Sequence, residues 1–197
     1  SLTDLTSAVS MTLCQDKRLT HRTLSRAGLC LPDQRLAASA EDNATFLKKH
    51  GRVVVKPVDG EQGQGVAVDL RTPGEVHDAI ERAKPFDERV ILESFHEGLD
   101  LRIVVIGFEV VAAAIRRPAE VIGDGLHSIG DLIDAQSRRR QAATAGESRI
   151  PKDAETLRTL QSAGFDYDRV MTTGKRLAAR KTAKLNTGGS MEDVTDT

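Results

Sequence analysis

Residues 53–68, VVVKPVDGEQGQGVAV, decide the fold of this chain. The β-branched run before Lys56 predicts a buried strand, and the alternation that begins at Val66 predicts a second strand paired with it. Three glycines in the loop between the strands let successive backbone N–H groups turn towards an anion, and Lys56 adds a positive charge. The loop is neither a Walker loop nor a Rossmann fingerprint, because a strand follows it instead of a helix. Taken alone, these residues fit a phosphate cradle and a flexible hairpin loop with a surface lysine equally well.

The rest of the chain predicts a mixture of helices and strands. Thr72-Pro-Gly-Glu75 is a capping box that opens one helix, and Ser39 and Gly51 are the expected N-cap and terminator of another. The predicted helices are residues 16–27, 39–50, 73–83, 128–140 and 153–163, and the predicted strands are residues 52–57, 66–70, 89–95, 100–106, 109–115 and 175–181. Strands that meet in hairpins, with helices on one side, predict an α+β fold rather than a parallel doubly wound sheet.

Composition narrows the classes of function. The 197 residues carry 28 lysines and arginines against 29 aspartates and glutamates, a formal net charge of -1. This balance gives no field for nucleic acid or an anionic membrane, and five Phe, one Tyr and no Trp leave few side chains for base stacking. No apolar run is long enough to span a bilayer, and no signal peptide is visible. Cys14 and Cys30 fit neither a zinc site nor a redox pair, so we predict reduced thiols and a cytoplasmic protein.

Residues 90–105, VILESFHEGLDLRIVV, are the second informative stretch. A strand delivers Glu93, whose carboxylate is able to accept a hydrogen bond from an adenine amino group, and a turn then leads to Asp100, which suits ribose hydroxyls. Charges on an edge strand that discourage aggregation explain the same residues equally well. No histidine has metal-ligand spacing, so we expect all five histidines to be structural or on the surface, and no metal ligands in this chain.

Five segments, taken in order, resemble the ATP-grasp peptide ligases. The resemblance extends from about residue 11 to residue 196. Within the family, the chain resembles the branch that contains cyanophycin synthetase, the fused bacterial glutathione synthetase and N-acetylglutaminylglutamine synthetase. The run QSRRRQAATAGESRIPKDAET at residues 136–156 is most similar to the last of these. The five segments are DKRLT (16–20), VVVKPVDGEQGQG (53–65), LESFHEGLDLRIVV (92–105), AAAIRRPAEVIGDGLHSIGDLI (112–133) and LNTGGSMEDVTD (185–196).

The resemblance implies an activity and a set of site residues. In this family ATP phosphorylates a carboxylate to an acyl phosphate, and an amine then displaces phosphate to form an amide, with Mg²⁺ as the metal. A mobile loop closes over the phosphates and excludes water, which would otherwise hydrolyse the acyl phosphate. The implied ATP-binding residues are Lys17 and Lys56 for the phosphates, Gln62, Gly63 and Gly65 in the mobile loop, Glu93, Ser94 and Phe95 for adenine, and Asp100 for the ribose.

Two arginines match the catalytic floor of the family. Arg102 and Arg117 are expected on one sheet surface, where they would contact the transferring phosphoryl group or a substrate carboxylate by bidentate hydrogen bonds. Arg116 alternates to the other face of its strand. Surface ion pairs of little energetic value are the alternative for both arginines.

The chain departs from the family pattern in two ways. Lys184 stands where the family usually has Asn, although Asn186 is a possible substitute. The family's magnesium carboxylates lie beyond the Asp-Val-Thr-Asp segment, so we expect the main metal ligands outside this chain and this piece itself to be inactive. The resemblance divides the chain into a helical lead-in (1–30), a lid subdomain with the glycine loop (31–95) and a second subdomain (96–197) that ends before the metal segment.

Three hypotheses of function remain at this point. The first is a carboxylate–amine ligase acting on amino-acid or dipeptide substrates, similar to N-acetylglutaminylglutamine synthetase or, alternatively, to glutathione or cyanophycin synthetase. The second is an ATP-binding module without catalysis. The third is an interaction domain that uses the basic run at residues 138–140, for which a solvated helix end is the simpler interpretation. The sequence does not fix the substrate pair or whether the protein forms a homo-oligomer.

Overall fold

The computed structural model describes residues 6–60 and 63–196 of the chain. The chain divides into two compact units, one that ends at Glu97 and one that begins at Gly98. The two amino-terminal helices, which the sequence sets apart as a lead-in, belong to the first unit. Both units combine helices with antiparallel strands, which confirms the predicted α+β class.

The first unit is a four-stranded antiparallel sheet with helices. Its strands follow the order β1-β4-β2-β3, so that β4 lies between β1 and β2. The hairpin of β2 and β3 is the pair predicted around the glycine loop. The helices are α1 (Ala8–Gln15), α2 (Lys17–Arg26), α3 (Ala40–His50) and α4 (Pro73–Ala83), and the strands are β1 (Gln34–Leu36), β2 (Val53–Pro57), β3 (Ala67–Leu70) and β4 (Val90–Ser94).

Side-chain alternation on β2 separates the two faces of this sheet. Val53 and Val55 are fully buried on the face that packs against α3 and α4, whereas Lys56 lies on the opposite face. The capping box at Thr72 is present, with reciprocal bonds to Glu75, and it fixes the start of α4. The core on the helix side consists of Phe46, Leu47, Val53, Val55, Ala67, Leu70, Val76, Ala79, Ile80, Ala83, Val90 and Leu92. Burial of each large aliphatic side chain stabilises the unit by about 2 kcal/mol, so the strand that carries Lys56 has a firm backing.

Through residue 196, the second unit contains two small antiparallel sheets and two α-helices. The three-stranded sheet has the order β5-β6-β9, and the other sheet pairs β7 with β8. The strands are β5 (Asp100–Ile106), β6 (Glu109–Arg117), β7 (Glu120–Ile122), β8 (Arg176–Ala178) and β9 (Ser190–Asp193), the helices are α5 (Ile129–Ala143) and α6 (Ala154–Ser162), and Leu185–Thr187 is a 3₁₀ turn. Its core consists of Ala119, Val121, Ile129, Ile133, Ile150, Leu160, Met171, Leu177 and Ala179.

Several short elements differ from the prediction. The helix predicted for residues 16–27 begins at Lys17, with Asp16 as its N-cap, and a separate helix, α1, precedes it. Strands β1, β7 and β9 were not predicted, and each has three or four residues. Cys14 and Cys30 are both exposed and form no disulfide. Among the described residues, no helix combines the length and the apolar character needed to cross a membrane.

Candidate nucleotide site

Lys56 and Glu93 form the centre of the candidate site in the first unit. Strand pairing sets Val54 opposite Glu93 and Gln34 opposite Glu93, so these side chains share the sheet face that carries Lys56. The Nζ of Lys56 lies 2.5 Å from Oε2 of Glu93, and Nε2 of Gln34 donates a hydrogen bond of 2.8 Å to Oε1 of Glu93. Only 22% of the Lys56 side chain and 14% of the Glu93 side chain are exposed. An ammonium group and a carboxylate are therefore held side by side, and both are largely buried.

Lys17 approaches the same loop from the start of α2. Its Nζ donates to the carbonyl oxygens of Val58 at 3.2 Å and Gly60 at 3.1 Å, and its backbone N–H also donates to Val58. Burial lowers the pKa of Lys17, and the charge of Lys56 lowers it further. The charge of Lys56 acts on Lys17 because the two ammonium groups lie near the same loop, so an anion bound between them would favour the charged form of Lys17.

Gly65 in the glycine loop has a structural reason to be glycine. Gly65 has a φ of +65°, and a Cβ there would lie 2.8 Å from the ring of Phe86 and 3.1 Å from the Cα of Ala83. Its role therefore includes packing against the end of α4. Gly63 also has a positive φ of 68°. Gln62, expected to contact phosphate, lies outside the described residues.

The side chains of Ser94 and Phe95 contact other residues of the first unit. Oγ of Ser94 accepts a hydrogen bond from the Asp33 N–H at 3.0 Å and lies 2.9 Å from Nε2 of His96. The Phe95 ring stacks under the guanidinium of Arg52, whose Cζ is 4.3 Å from the ring centroid. Their backbone N–H groups donate to the carbonyls of Asp33 and Arg52. The Ser94 hydroxyl, the Phe95 ring and both backbone N–H groups therefore already have partners within the first unit.

Asp100 in the second unit is paired with an arginine that the sequence ranked lower. Oδ1 and Oδ2 of Asp100 both accept hydrogen bonds of 2.9 Å from Nη2 of Arg116, which lies opposite it in the hairpin of β5 and β6. Arg102 is opposite Ala114 and therefore shares the face of Asp100 and Arg116.

Arg117 lies on the other face of this sheet, where its Nη2 donates to Oε2 of Glu192 at 2.8 Å. The expectation that Arg102 and Arg117 share one floor is therefore wrong for this sheet. The physical reason is a β-bulge in the hairpin, between the pairs Val104–Ala112 and Val105–Val110, which leaves Val111 without an opposite residue and reverses the faces beyond it.

The Thr-Gly-Gly segment closes a turn against the core of the second unit. The Gly189 N–H donates to the carbonyl of Lys184 at 2.8 Å, and the carbonyl of Gly189 accepts from Nη1 of Arg140 at 3.0 Å. Burial lowers the pKa of Lys184. The carbonyl of Asn186 accepts from the Arg149 N–H at 3.2 Å. Within residues 184–189 these contacts use only backbone atoms, so none of them involves the Lys184 side chain.

Sequence reasoning missed Gln34 and Arg116 as partners of the candidate residues. No pattern in the sequence marks Gln34, because β1 is only three residues long. Arg116 follows from the hairpin register, which depends on the bulge. Within residues 6–60 and 63–196, no three His, Cys, Asp or Glu side chains are grouped to hold a metal ion.

Comparisons with known proteins agree on one family. A family model described as the RimK-like ATP-grasp domain matches residues 14–124. Cyanophycin synthetase of Trichormus variabilis is 31% identical over 201 residues, which cover 100% of this chain and 22% of that protein. The bifunctional glutathione biosynthesis protein of Mannheimia succiniciproducens is 28% identical and is matched over 100% of this chain and 27% of its own length.

A solved structure supports the same fold. The bifunctional glutathione synthetase of Pasteurella multocida has a TM-score of 0.52 at 24% identity, with 98% of this chain and 27% of that chain covered. This chain spans less than a third of the length of the relatives it matches. The family match covers more than half of the chain, and the chain belongs to the RimK-like ATP-grasp family.

Proposed function

We propose that the first unit binds ATP, with the triphosphate near Lys17, Lys56 and the glycine loop and the adenine against Glu93. The observation that carries this proposal is the Lys56–Glu93 pair at the end of the sheet face. The adenine edge presents an acceptor, N7, next to a donor, the N6 amino group. The Lys56 ammonium group is a donor that suits N7, and the Glu93 carboxylate beside it is an acceptor that suits the N6 amino group. Lys56 has three N–H groups, so it is able to keep its bond to Glu93 while it binds the nucleotide.

We further propose that the whole protein is an ATP-dependent carboxylate–amine ligase. A carboxylate oxygen of the first substrate attacks the γ-phosphorus of ATP and ADP leaves, and the amine of the second substrate then attacks the acyl carbon and phosphate leaves. The contribution of this chain is to position the nucleotide and to neutralise its charge. Asp100, held by Arg116, is the proposed ribose ligand, and Arg102 on the same face is the proposed contact of the transferring group. Arg117 is a weaker candidate, since it lies on the opposite face with Glu192.

The first proposed substrate pair is that of an N-acetylglutaminylglutamine synthetase. This assignment rests on the similarity of residues 136–156 to that enzyme. The relatives found by comparison favour a second assignment. A cyanophycin synthetase is 31% identical and a glutathione biosynthesis protein is 28% identical to this chain. All of these assignments join amino acids or short peptides through an amide bond, and a cytoplasmic enzyme with Mg²⁺ is consistent with each of them.

Nucleotide binding is tested with this chain alone by calorimetric titration of ATP and GTP. Guanine presents O6 as an acceptor where adenine has an amino group, so we expect ATP to bind about tenfold more tightly or better. Glu93→Gln should weaken ATP binding and narrow the preference over GTP, because an amide is able to donate to O6. Glu81→Gln is the matched control, as Glu81 is an exposed carboxylate on α4 paired with Lys84. Equal affinity for ATP and GTP in the unaltered chain would contradict the proposed base contact.

The substrate assignment requires the full-length protein. Phosphate release from ATP is measured with N-acetylglutamine and glutamine, with glutamylcysteine and glycine, and with aspartate and arginine, and the amide product is identified by mass spectrometry. The pair that gives product identifies the substrate class. ATP binding without an amide product from any pair would remove the three substrate assignments while leaving the nucleotide site in place.

A further inference from the structure

The second unit has an open cavity of about 450 Å³ between α5 and the extended segment of residues 149–153. One wall is a single face of α5, because residues 134, 137, 138 and 141 follow the i, i+3, i+4, i+7 spacing of one helix side. The other wall includes Arg149, Lys152 and Asp153. A volume of this order suits a small-molecule ligand.

The two walls are fixed to each other by direct contacts. Oγ of Ser137 donates to the carbonyl of Ile150 at 3.2 Å and accepts from its N–H at 3.1 Å, and both residues are buried. Nζ of Lys152 donates to Oδ2 of Asp134 at 2.6 Å. The backbone N–H of Arg149 donates to the carbonyl of Asn186. The cavity is therefore formed before any ligand enters, which reduces the entropy lost on binding.

The charges around the cavity do not balance. Asp134 is paired with Lys152, and Oδ1 of Asp153 is 2.5 Å from Nη1 of Arg180, a side chain only 4% exposed. By contrast, the guanidinium groups of Arg138 and Arg149 have no ion pair or hydrogen-bond partner within residues 6–60 and 63–196. Two positive charges are thus left without a partner, one on each wall.

We propose that this cavity binds a small dicarboxylate, with one carboxylate held by Arg138 and the other by Arg149. A guanidinium group offers two parallel N–H donors that match a carboxylate, which makes arginine the preferred residue for such contacts. Arg138 lies on the helix wall and Arg149 on the wall of the extended segment, so a short molecule with two anionic ends is able to contact both. Binding at this site requires no nucleotide and does not depend on the proposed ATP site.

The test is a titration of the chain with glutarate in the absence of nucleotide. Calorimetry measures the binding, and NMR of the arginine Nε–Hε groups identifies the arginines that respond. We expect saturable binding with signal changes at Arg138 and Arg149. Arg138→Gln with Arg149→Gln should weaken binding at least about tenfold, and butyrate, with one carboxylate, should bind about tenfold more weakly than glutarate. Arg139→Gln is the matched control, because Arg139 follows on the same helix but lines a different cavity.

Three results would overturn the proposal. The first is a lack of saturable binding of glutarate to the unaltered chain. The second is an equal loss of affinity in Arg139→Gln, since this would indicate attraction by general surface charge. The third is tighter binding of inorganic phosphate than of glutarate, which would assign the cavity to a compact anion. Unchanged urea unfolding of the double variant shows that any loss is local, and a separate ATP titration distinguishes failure here from failure of the nucleotide site.

Discussion

The two larger sheets of this chain are both antiparallel, yet they hold their polar side chains in different ways. In the first unit, one face of β2 and β4 is sealed by α3 and α4, and the other carries Lys56 and Glu93. In the three-stranded sheet of the second unit, every residue of β5 after Asp100 is exposed, including Ile103 at 51%. A side chain on the first sheet therefore has a rigid backing, whereas the arginines of the second sheet are held mainly by ion pairs. Site geometry follows from packing in one case and from charge in the other.

The test with the largest expected effect is removal of an aliphatic side chain from each sheet. Leu92 on β4 is fully buried, so Leu92→Ala should lower the free energy of unfolding of the first unit by about 3 kcal/mol. Ile103→Ala, the matched change on β5, should cost less than about 0.5 kcal/mol, because half of that side chain is already exposed. Urea unfolding with amide exchange of each sheet measures both. Similar losses would show that the second sheet is packed as firmly as the first.

The second test compares two glycines of the second unit with the same φ angle. Gly188 and Gly146 both have a φ of +90°, but a Cβ at Gly188 would clash with Cγ1 of Ile150, whereas none of the described atoms lies within 4 Å of a Cβ at Gly146. Gly146→Ala should cost about 1 kcal/mol from backbone strain alone. Gly188→Ala should cost about 2 to 3 kcal/mol, because it adds a clash with the core. Equal losses in urea unfolding would mean that the turn moves away from Ile150 without cost.

The hairpin of β5 and β6 shows why the sequence predicted the fold better than the site. Gly107 and Phe108 both have positive φ angles, as a two-residue hairpin turn requires, and both strands were predicted around that turn. Without a bulge, this turn would set Arg102 and Arg117 on one face. The single unpaired residue Val111 shifts the register and brings Arg116 to that face instead. No composition or periodicity distinguishes Val111 from the apolar residues beside it.

In the first unit, residues close in sequence were easier to predict than residues brought together by pairing. The strand of Lys56, the positive φ angles of Gly63 and Gly65 and the capped helix α4 all depend on local patterns, and the described residues contain each of them. Gln34 reaches Glu93 only because β1 pairs with β4 across 59 positions of sequence. Strand β9 reads as a polar loop and is a strand because β6 is available beside it. Contacts that depend on strand pairing between distant segments were therefore not predicted from the sequence.

The third test concerns protonation at the proposed phosphate site. Burial and the charge of Lys56 lower the pKa of Lys17 from its ordinary value of 10.5, so Lys17 loses its proton at a lower pH than an ordinary lysine does. Phosphates would restore that proton, because a nearby negative charge favours the ammonium form. ATP binding should therefore take up a fraction of a proton at alkaline pH, and affinity should fall up to about tenfold as pH rises towards 10.5.

Calorimetry in two buffers of different ionisation enthalpy measures this uptake. Lys17→Arg is the informative variant, since a guanidinium group keeps its proton throughout this range. It should abolish the part of the uptake that belongs to Lys17. ATP binding with no proton uptake at any alkaline pH would place the phosphates away from Lys17.

The smallest expected effects are those of the two ion pairs on the three-stranded sheet. Asp100 and Arg116 form a bidentate pair with 39% and 28% of their side chains exposed, and Glu192 and Arg117 form a pair with 56% and 54% exposed. A double-mutant cycle with Asp100→Asn and Arg116→Gln should give a coupling of about 1 kcal/mol, and the same cycle for Glu192 and Arg117 about 0.3 kcal/mol. Both couplings should shrink as salt is added, since solvent reaches both pairs. A larger coupling for Glu192 and Arg117 would mean that the face opposite Asp100 is the better ordered one, and Arg117 would then be the stronger candidate for a substrate contact.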